Sequence, residues 1–566
     1  MIYCRQLLIH YCIIAALGTF LANAQEDANI RLEINTLDKI NNKYIEEFSF
    51  KTEFKNTKAL SDYTYNLVAT LKEQGFIFAE VHSLEEIKNN VYQANLKLNK
   101  RYKGIKIRKN TDSFIFKKTE FPEKEGHLYM SFTEFKEFAK QALEILNKQG
   151  RPFDQFKLTN LKEAENGYIT AEIEFKQNKK RTIDKIIIKG YEKFPIAFAK
   201  YKLGYREGSV FDLEKIRDKN KNFENLAFAS SVKDPEVQFT TDSTKIFLYT
   251  QRNNANTFDG FIGFNSTEET SLELNGYINL TLINNLHLGE SLAIEYKNDG
   301  REQQRFNANL NLAYIFNSPV SLEAGLQIFR KDSTFSNSMQ FVGLNYQINP
   351  LLSIGTEADF TQSSILLNNS LNSTANGSDF TSVFYGVKIN YSKQDNITGN
   401  FFNEKKITLT ASSGKRSSET NDNQLRIKLN STYDLLLTKK LVLHTKTQIA
   451  WLRSSTYYDN ELFRFGGINN IRGFEENSIV ASTFGSLSTE LRYFLSSSLY
   501  ANSVFDYGYF ENERERIGEN LFSFGFGLGI ETQAGVLRLI FANGTSKTQD
   551  FSFENTQVHL SLNSFF

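Results

Sequence analysis

Cysteine is almost missing from this chain. Its 566 residues hold two, Cys4 and Cys12, both within the first 24, so disulfides and thiolate chemistry are closed to everything that follows. Proline is scarce at 6, and glycine, at 32, shows no period, which excludes collagen and Pro-rich low-complexity chains. No apolar run beyond residue 24 approaches the roughly 18 residues that a spanning helix needs, and the mean hydropathy is −0.40. An excess of one charge is also lacking. Lysine and arginine total 66 against 65 acidic residues, and no basic stripe of the kind that marks a nucleic-acid binder is present. The 6 histidines are scattered. No G-x-S-x-G elbow, phosphate loop or metal cluster appears, so the expectation is no enzyme, no metal and no cofactor. What is plentiful is aromatic residues, 14% of the chain with 50 Phe and 26 Tyr. Disordered chains are poor in them, and the length exceeds one ordinary domain.

The first 24 residues read as a secretory signal. Arg5 supplies the positive start, Leu7 to Leu21 the apolar core, and Ala22-Asn23-Ala24 a small-x-small cleavage site. Beyond it, charge and texture change together near residue 253. Residues 25–252 carry 41 basic and 34 acidic residues, a net of +7; residues 253–566 carry 24 and 31, a net of −7. The first part mixes helical and strand periods three times over. Ala59 to Gly75 places Leu60, Tyr63, Leu67 and Leu71 on one helical face. A charged stretch follows, then the alternating strand Val91 to Leu98. Ser131 and Glu134 form a capping box ahead of the stripe Phe135, Phe138, Ala142 and Leu146. Gly150 ends that helix and the strand Tyr168 to Phe175 follows. The third round runs from the strand Ile183 to Gly190 through a helix starting near Leu213 to strands at Val237–Phe239 and Lys245–Tyr249. Three small α+β modules are expected, at 25–106, 107–181 and 182–252. Each is near the smallest size that builds its own core, and each offers strand edges to extended peptides.

From residue 257 to 566 helical periodicity gives way to alternation. Phe306, Ala308, Leu310 and Leu312 alternate with Asn307, Asn309 and Asn311; Leu425, Ile427 and Leu429 alternate with Arg426, Lys428 and Asn430. The runs approach the roughly ten residues with which a tilted strand crosses a bilayer. Sixteen such segments begin near residues 258, 272, 289, 305, 320, 336, 351, 381, 405, 424, 441, 484, 499, 520, 535 and 557. The predicted fold class is therefore a membrane β-barrel of about 16 antiparallel strands preceded by tandem small α+β domains. Parity of the links agrees with this. Short even-to-odd turns occur at Ser318-Pro319 and Asn349-Pro350. Long odd-to-even loops are expected at Ser364 to Phe380, Ser413 to Asn423, Ser454 to Thr483, Glu511 to Asn520 and Asn543 to Thr556. The link from Asn396 to Lys406 is longer than that scheme expects.

The loop between the eleventh and twelfth strands reads Leu462-Phe463-Arg464-Phe465-Gly466-Gly467-Ile468-Asn469-Asn470-Ile471-Arg472-Gly473-Phe474. So many aromatics with three glycines suit a loop that packs, and the available space is the lumen. On the twelfth strand Leu487, Thr489, Leu491 and Tyr493 point outward, which turns Glu490 and Arg492 inward. On the thirteenth, Phe505, Tyr507 and Tyr509 point outward, which turns Asp506 and Gly508 inward. The pattern thus offers Glu490 and Asp506 as counter-charges for Arg472; a surface arginine above ordinary luminal charges is the alternative.

Ile471-Arg472-Gly473-Phe474 resembles the signature loop motif of the BamA/TamA superfamily of outer-membrane assembly factors. Ser488-Thr489-Glu490-Leu491-Arg492 resembles its strand-twelve motif and Phe505-Asp506-Tyr507-Gly508 its strand-thirteen motif. Gly527-Leu528-Gly529, Gly535 to Leu539 and Ala542 resemble its closing strands, and the three modules resemble POTRA domains, the third most clearly. Three such units suit a TamA-like size. The resemblance implies an outer-membrane protein with its modules in the periplasm. Its partners would be unfolded or nascent outer-membrane clients, the lipid bilayer, and periplasmic or inner-membrane accessory proteins, with no nucleic acid. It implies a seam between first and last strands that opens sideways, on which Gly260, Gly263 and the terminal Phe566 would lie. A two-partner-secretion transporter shares these parts but usually carries two such modules and a plug helix, and none precedes residue 59. A passive porin has no use for soluble modules.

Overall fold

Three stretches of chain solve one problem, a helix with a single apolar face that must be covered, in the same way. In the computed structural model the described residues are 30–38, 45, 48–108, 123–124, 126–267, 270–298, 303–331, 334–366, 377–398, 401–532 and 535–564. The expected signal segment 1–24, both cysteines and Phe566 lie outside them. The chain divides into two compact units, Met1–Arg181 with Val210–Asp212, and Thr182–Ser209 with Leu213–Phe566.

The first unit holds two modules. Helix α1, Thr57–Glu73, is capped by the Asn56 side chain, which accepts from Ala59 N at 2.8 Å. It buries Leu60, Leu67, Val68 and Leu71 against Leu32, Ala94 and Leu96 of the sheet. Gly75 stops it at φ +107, where a Cβ would stand 2.2 Å from the Tyr102 carbonyl oxygen. In that sheet Ile30–Thr36 runs parallel to Val91–Lys97, which also pairs antiparallel with Glu80–Lys88. The charged stretch is thus itself a strand. Most of its residues are exposed, so no alternation marks it. In the second module α2, Phe132–Lys148, starts in the predicted capping box. Ser131 Oγ accepts from Glu134 N at 3.2 Å, and Glu134 Oε2 accepts from Ser131 N at 2.6 Å. Here Gly104–Arg108 lies parallel to Tyr168–Lys176, with Gln155–Glu163 antiparallel beside it. The residue 106/107 division falls inside Gly104–Arg108, whose Ile105 and Ile107 are fully buried.

The third module opens the second unit. Lys185–Gly190 is parallel to Thr244–Arg252, which pairs antiparallel with Ala229–Phe239. Helices α3, Ile196–Tyr201, and α4, Leu213–Asn220, lie between the first and second of these strands in sequence. All three modules therefore share one plan, with the first main strand parallel to the last and the penultimate strand closing the hairpin.

The remainder is one antiparallel sheet of sixteen strands. They are β1 Thr257–Thr267, β2 Thr270–Ile283, β3 Ser291–Asn298, β4 Gln303–Leu312, β5 Val320–Lys331, β6 Phe335–Asn349, β7 Leu352–Ile365 and β8 Phe380–Thr398, then β9 Phe401–Ser417, β10 Asn421–Thr438, β11 Leu441–Arg453, β12 Thr483–Phe494, β13 Leu499–Asn512, β14 Ile517–Thr532, β15 Gly535–Thr545 and β16 Gln557–Ser564. Each pairs with its sequence neighbour, and β1 comes back beside β16. The outer face is apolar. Tyr385, Val387, Ile389, Leu425, Leu491, Tyr507, Phe524, Phe526 and Leu528 are all exposed, while Ser382, Thr410, Gln424, Ser486 and Ser523 are buried toward the bore. Such an inside-out pattern is unfavourable in water and is that of a barrel in lipid. Among the described residues no helix is long and apolar enough to cross a membrane.

Two of the predicted long loops are not loops. β9 runs to Ser417 and β10 starts at Asn421; β13 runs to Asn512 and β14 starts at Ile517. The excess around Asn396 is likewise strand, since β8 extends to Thr398 and β9 begins at Phe401. At about 3.3 Å per residue these strands outreach the roughly 30 Å of hydrocarbon. Their ends stand in water on both faces and lose the alternation that marks a strand in lipid.

The third module packs on the even-to-odd turns. Tyr191 Oη lies 2.8 Å from His287 Nδ1 and accepts from Asn284 Nδ2 at 2.8 Å. Phe198 meets Tyr314 edge-on with ring centres 4.8 Å apart, and Tyr201 Oη donates to the Asn317 carbonyl at 3.1 Å. Lys202 Nζ donates to the Pro350 carbonyl at 3.3 Å, and burial lowers its ammonium below the ordinary lysine range.

Candidate functional site

The link between β11 and β12, residues 454–482, is built to fold back on itself. Phe463–Phe465 pairs antiparallel with Ile479–Ala481. Between them Gly466 and Gly467 turn the chain at φ +111 and +92, with no room at Gly466 for a Cβ, which would stand 2.6 Å from the Glu475 carbonyl oxygen. The loop's aromatics pack inward, with Phe465 and Phe474 buried and Phe463 against them. Phe465, Ile471 and Phe474 form one apolar cluster with Ala450, Phe484, Phe510 and Leu521 of the barrel wall. Phe465 stacks on Phe484 at 4.3 Å with rings 4° from parallel. The loop therefore has its own hydrophobic core inside the bore, and burial of these rings drives it inward.

That core delivers Arg472 to two carboxylates. Its Nε donates to Asp506 Oδ2 at 2.9 Å, as does its backbone N at 2.9 Å, and one terminal nitrogen donates to Asp506 Oδ1. The other terminal nitrogen reaches Glu490 Oε1, and the Thr489 carbonyl accepts at 3.3 Å. Glu490 is held from its far side by Arg492 Nε at 2.7 Å. Asp506 is 0% exposed and Arg472 3%, so the charges are desolvated and each depends on the others. Two glycines make the fit possible. A Cβ on Gly508 would lie 2.1 Å from Ile471 Cδ1, and a Cβ on Gly473 would lie 2.3 Å from Gly544 N of β15. Ser488 Oγ also donates to the Asn470 carbonyl.

The expected residues Ile471, Arg472, Gly473, Phe474, Glu490, Asp506 and Gly508 thus meet at one place, with Arg492 attached through Glu490. Phe505 is not in the cluster; its ring faces outward, tilted against Phe524 at 5.4 Å. Gly260 and Gly263 lie on β1, opposite Ile278 and Asn275 of β2. Phe566 lies outside the described residues.

A second arginine went unnoticed in the sequence. Arg416, fully buried at the outer end of β9, pairs with Asp422 of β10 and with Glu461 of the loop. It also donates to the Thr456 carbonyl at 3.1 Å and lies 4.0 Å over the Tyr458 ring. The early limb of the loop is fastened there, and the later limb at Arg472. Beyond Arg472 the chain reaches the opposite wall, where Arg305 of β4 donates to Asn477 Oδ1 at 3.0 Å. A signal for Arg416 existed. Thr410, Ser412 and Gly414 share its parity, and extending the inward face of β9 by one step reaches it.

The junction of β1 and β16 differs from the others. β16 pairs with β15 from Ala542↔Gln557 to Gly535↔Ser564. β1 lies next to β16, yet among the described residues no hydrogen-bonded ladder joins the two. Outward side chains there are open, Leu560 being 68% exposed.

Fold and site together define a sixteen-stranded barrel with a loop anchored in its bore and small α+β modules before it. No protein-family model and no curated protein matches the chain. Solved structures with a similar course exist. BamA from Haemophilus ducreyi lacking POTRA domains 1–3 is 15% identical with a TM-score of 0.45, over 78% of this chain and 95% of that one. CdiB from Acinetobacter baumannii is 14% identical with a TM-score of 0.48, over 81% and 89%. CdiB from Escherichia coli is 12% identical with a TM-score of 0.49, over 90% and 97%. These likenesses are of outline, and no residue role is carried over from them.

Proposed function

We propose that this chain is an outer-membrane factor that helps client proteins fold into, or pass across, that membrane through the lateral seam between β1 and β16. The observation that carries this reading is the seam. Fifteen neighbouring strand pairs share ladders, while the described residues of the closing pair share none. An unpaired strand edge in lipid is costly, because its N–H and C=O groups have no water to turn to. A client strand that pairs with β1 relieves that cost by strand addition. Gly260 and Gly263 soften β1, since glycine weakens a strand interior. The bore is a poor rival route while the loop is held at both limbs by buried charge clusters. The third module, on the side of the short turns, would receive the client in the periplasm, and the modules would offer their sheet edges to it or to accessory proteins. No catalytic residue, cofactor or metal enters this scheme. The client's own hydrogen bonding and apolar burial drive the transfer.

The test is a reversible crosslink. Cysteine pairs are placed along β1 and β16, at positions such as Phe258 and Leu560, in a chain whose own cysteines are both in the signal segment. Oxidised pairs should stop client delivery and reduction should restore it. A crosslinked protein that still inserts clients at the full rate sinks the lateral route. If it also still exports a polypeptide, transport through the bore, as in two-partner secretion, takes its place. A wide, steady conductance would instead favour a porin.

A further inference from the structure

Between the early limb of the loop and the wall from β4 to β10 lies a cavity of about 440 Å³. Four cations line it: Arg305 from β4, Arg426 and Lys428 from β10, and Arg464 from the loop. The one carboxylate in the lining, Glu461, is already engaged by Arg416. Arg426 is paired with Asp359, but its Nε is buried without a partner. Among the described residues no carboxylate pairs with Arg305, Lys428 or Arg464. Elsewhere in the same bore the signs are matched, Arg416 with Asp422 and Glu461, and Arg472 with Glu490 and Asp506. Asp359 and Glu357 of β7 and Asp459 of the loop act on these cations from outside the lining and offset only part of their charge, and the surplus gathered in a poorly solvated space favours an anion. Phenyl rings stand beside the cations, Phe329 across the strand pair from Arg305 and Phe384 under the Arg426 guanidinium at 4.0 Å, which suits an apolar body next to the anion. The volume falls in the range of small-molecule sites, roughly 300–1,000 Å³.

We propose that this cavity binds a small phosphate ester. Its oxyanion is held by Arg305, Lys428, Arg464 and the free Nε–H of Arg426, and its body rests on Phe329, beside the Phe384 ring that Arg426 covers. Planar guanidinium groups and a lysine ammonium together suit phosphate recognition. Because Arg464 belongs to the loop and Arg305 to β4, the ligand would tie loop to wall across the bore from Arg472. The site stands independently of the client-transfer reading. Its ligand has two possible sources, a lipid headgroup or a soluble ester.

The full chain in a nonionic detergent is titrated by calorimetry with glycerol 3-phosphate, with dihexanoyl phosphatidate and with a tetraglutamate peptide. One saturable site for a phosphate ester is expected, weakened at least ten-fold by Lys428→Gln and by Arg305→Gln and unchanged by Lys439→Gln on the short turn between β10 and β11. Tighter binding of the phosphatidate assigns the lipid source, and equal binding assigns the soluble one. A mutation-free measurement runs beside it, in which the ester should slow acylation of Lys428 in the wild-type chain, read by mass spectrometry. Binding that both variants leave intact, an unchanged acylation rate, or saturation by tetraglutamate alone overturns the proposal.

Discussion

Arg472 shows how a single side chain can hold a long loop. It donates five hydrogen bonds, and removal of its guanidinium leaves Glu490 and Asp506 facing each other in a space closed to water. Arg472→Ala should lower barrel stability by about 3–5 kcal/mol, measured by denaturant unfolding in micelles. Arg464→Ala, which in the ligand-free chain breaks no ion pair within 4 Å and removes a ring contact 5.2 Å from the Phe335 centre, should cost about 1 kcal/mol or less. Equal small losses would mean that the loop is held by something else. The neighbouring glycine gives a sharper test. Gly508→Ala drives a methyl into Ile471 Cδ1 and should cost about 1–3 kcal/mol; Ile471→Ala added to it should recover part of that loss. This cluster was legible because β12 and β13 alternate strictly and place its charges inward. Arg416 was fainter, because the end of β9 has left the lipid and both its faces are polar, so only the parity of Thr410, Ser412 and Gly414 points to it.

At the scale of elements, signals survive where one face is wet and the other dry. α2 began and ended where its capping box and Gly150 put it. Ser131→Ala should cost the first unit about 1 kcal/mol in thermal unfolding. The backbone hydrogen bond to Ser131 holds the Glu134 carboxyl below its usual range. A depressed acid stabilises the fold above its unfolded value, and that contribution fades as pH falls through the folded one. The capped and uncapped modules should therefore converge in stability in acid; a difference that persists below the carboxylate range would contradict the capping account. Edge strands obeyed no such signal. Glu80–Lys88 is exposed along most of its length, and only the pairing with Val91–Lys97 makes it a strand. Overlong β-hairpins went astray for the same reason, since periodicity reports contact with lipid and stops where the lipid stops.

For the molecule as a whole, the union of the third module and barrel rests on a few aromatic rings over tight turns. Gly289 takes φ +76, and a Cβ there would stand 1.9 Å from Phe198 Cε2. Gly289→Ala should loosen the module, seen as faster amide exchange over 196–205. Phe198→Ala in the same chain should relieve the collision while leaving the cost of the left-handed backbone. Exchange rates indifferent to either change would show that the rings do not carry the joint. The contacts described all fall on the turns after β2, β4 and β6. The module therefore sits like an awning over one half of the rim, and the half-moon of the mouth beneath β10 to β16 lies clear of those contacts. On the reading proposed above, the seam, where the described residues of β1 and β16 share no ladder, adjoins the end of the arc that the third module grips at the turn after β2.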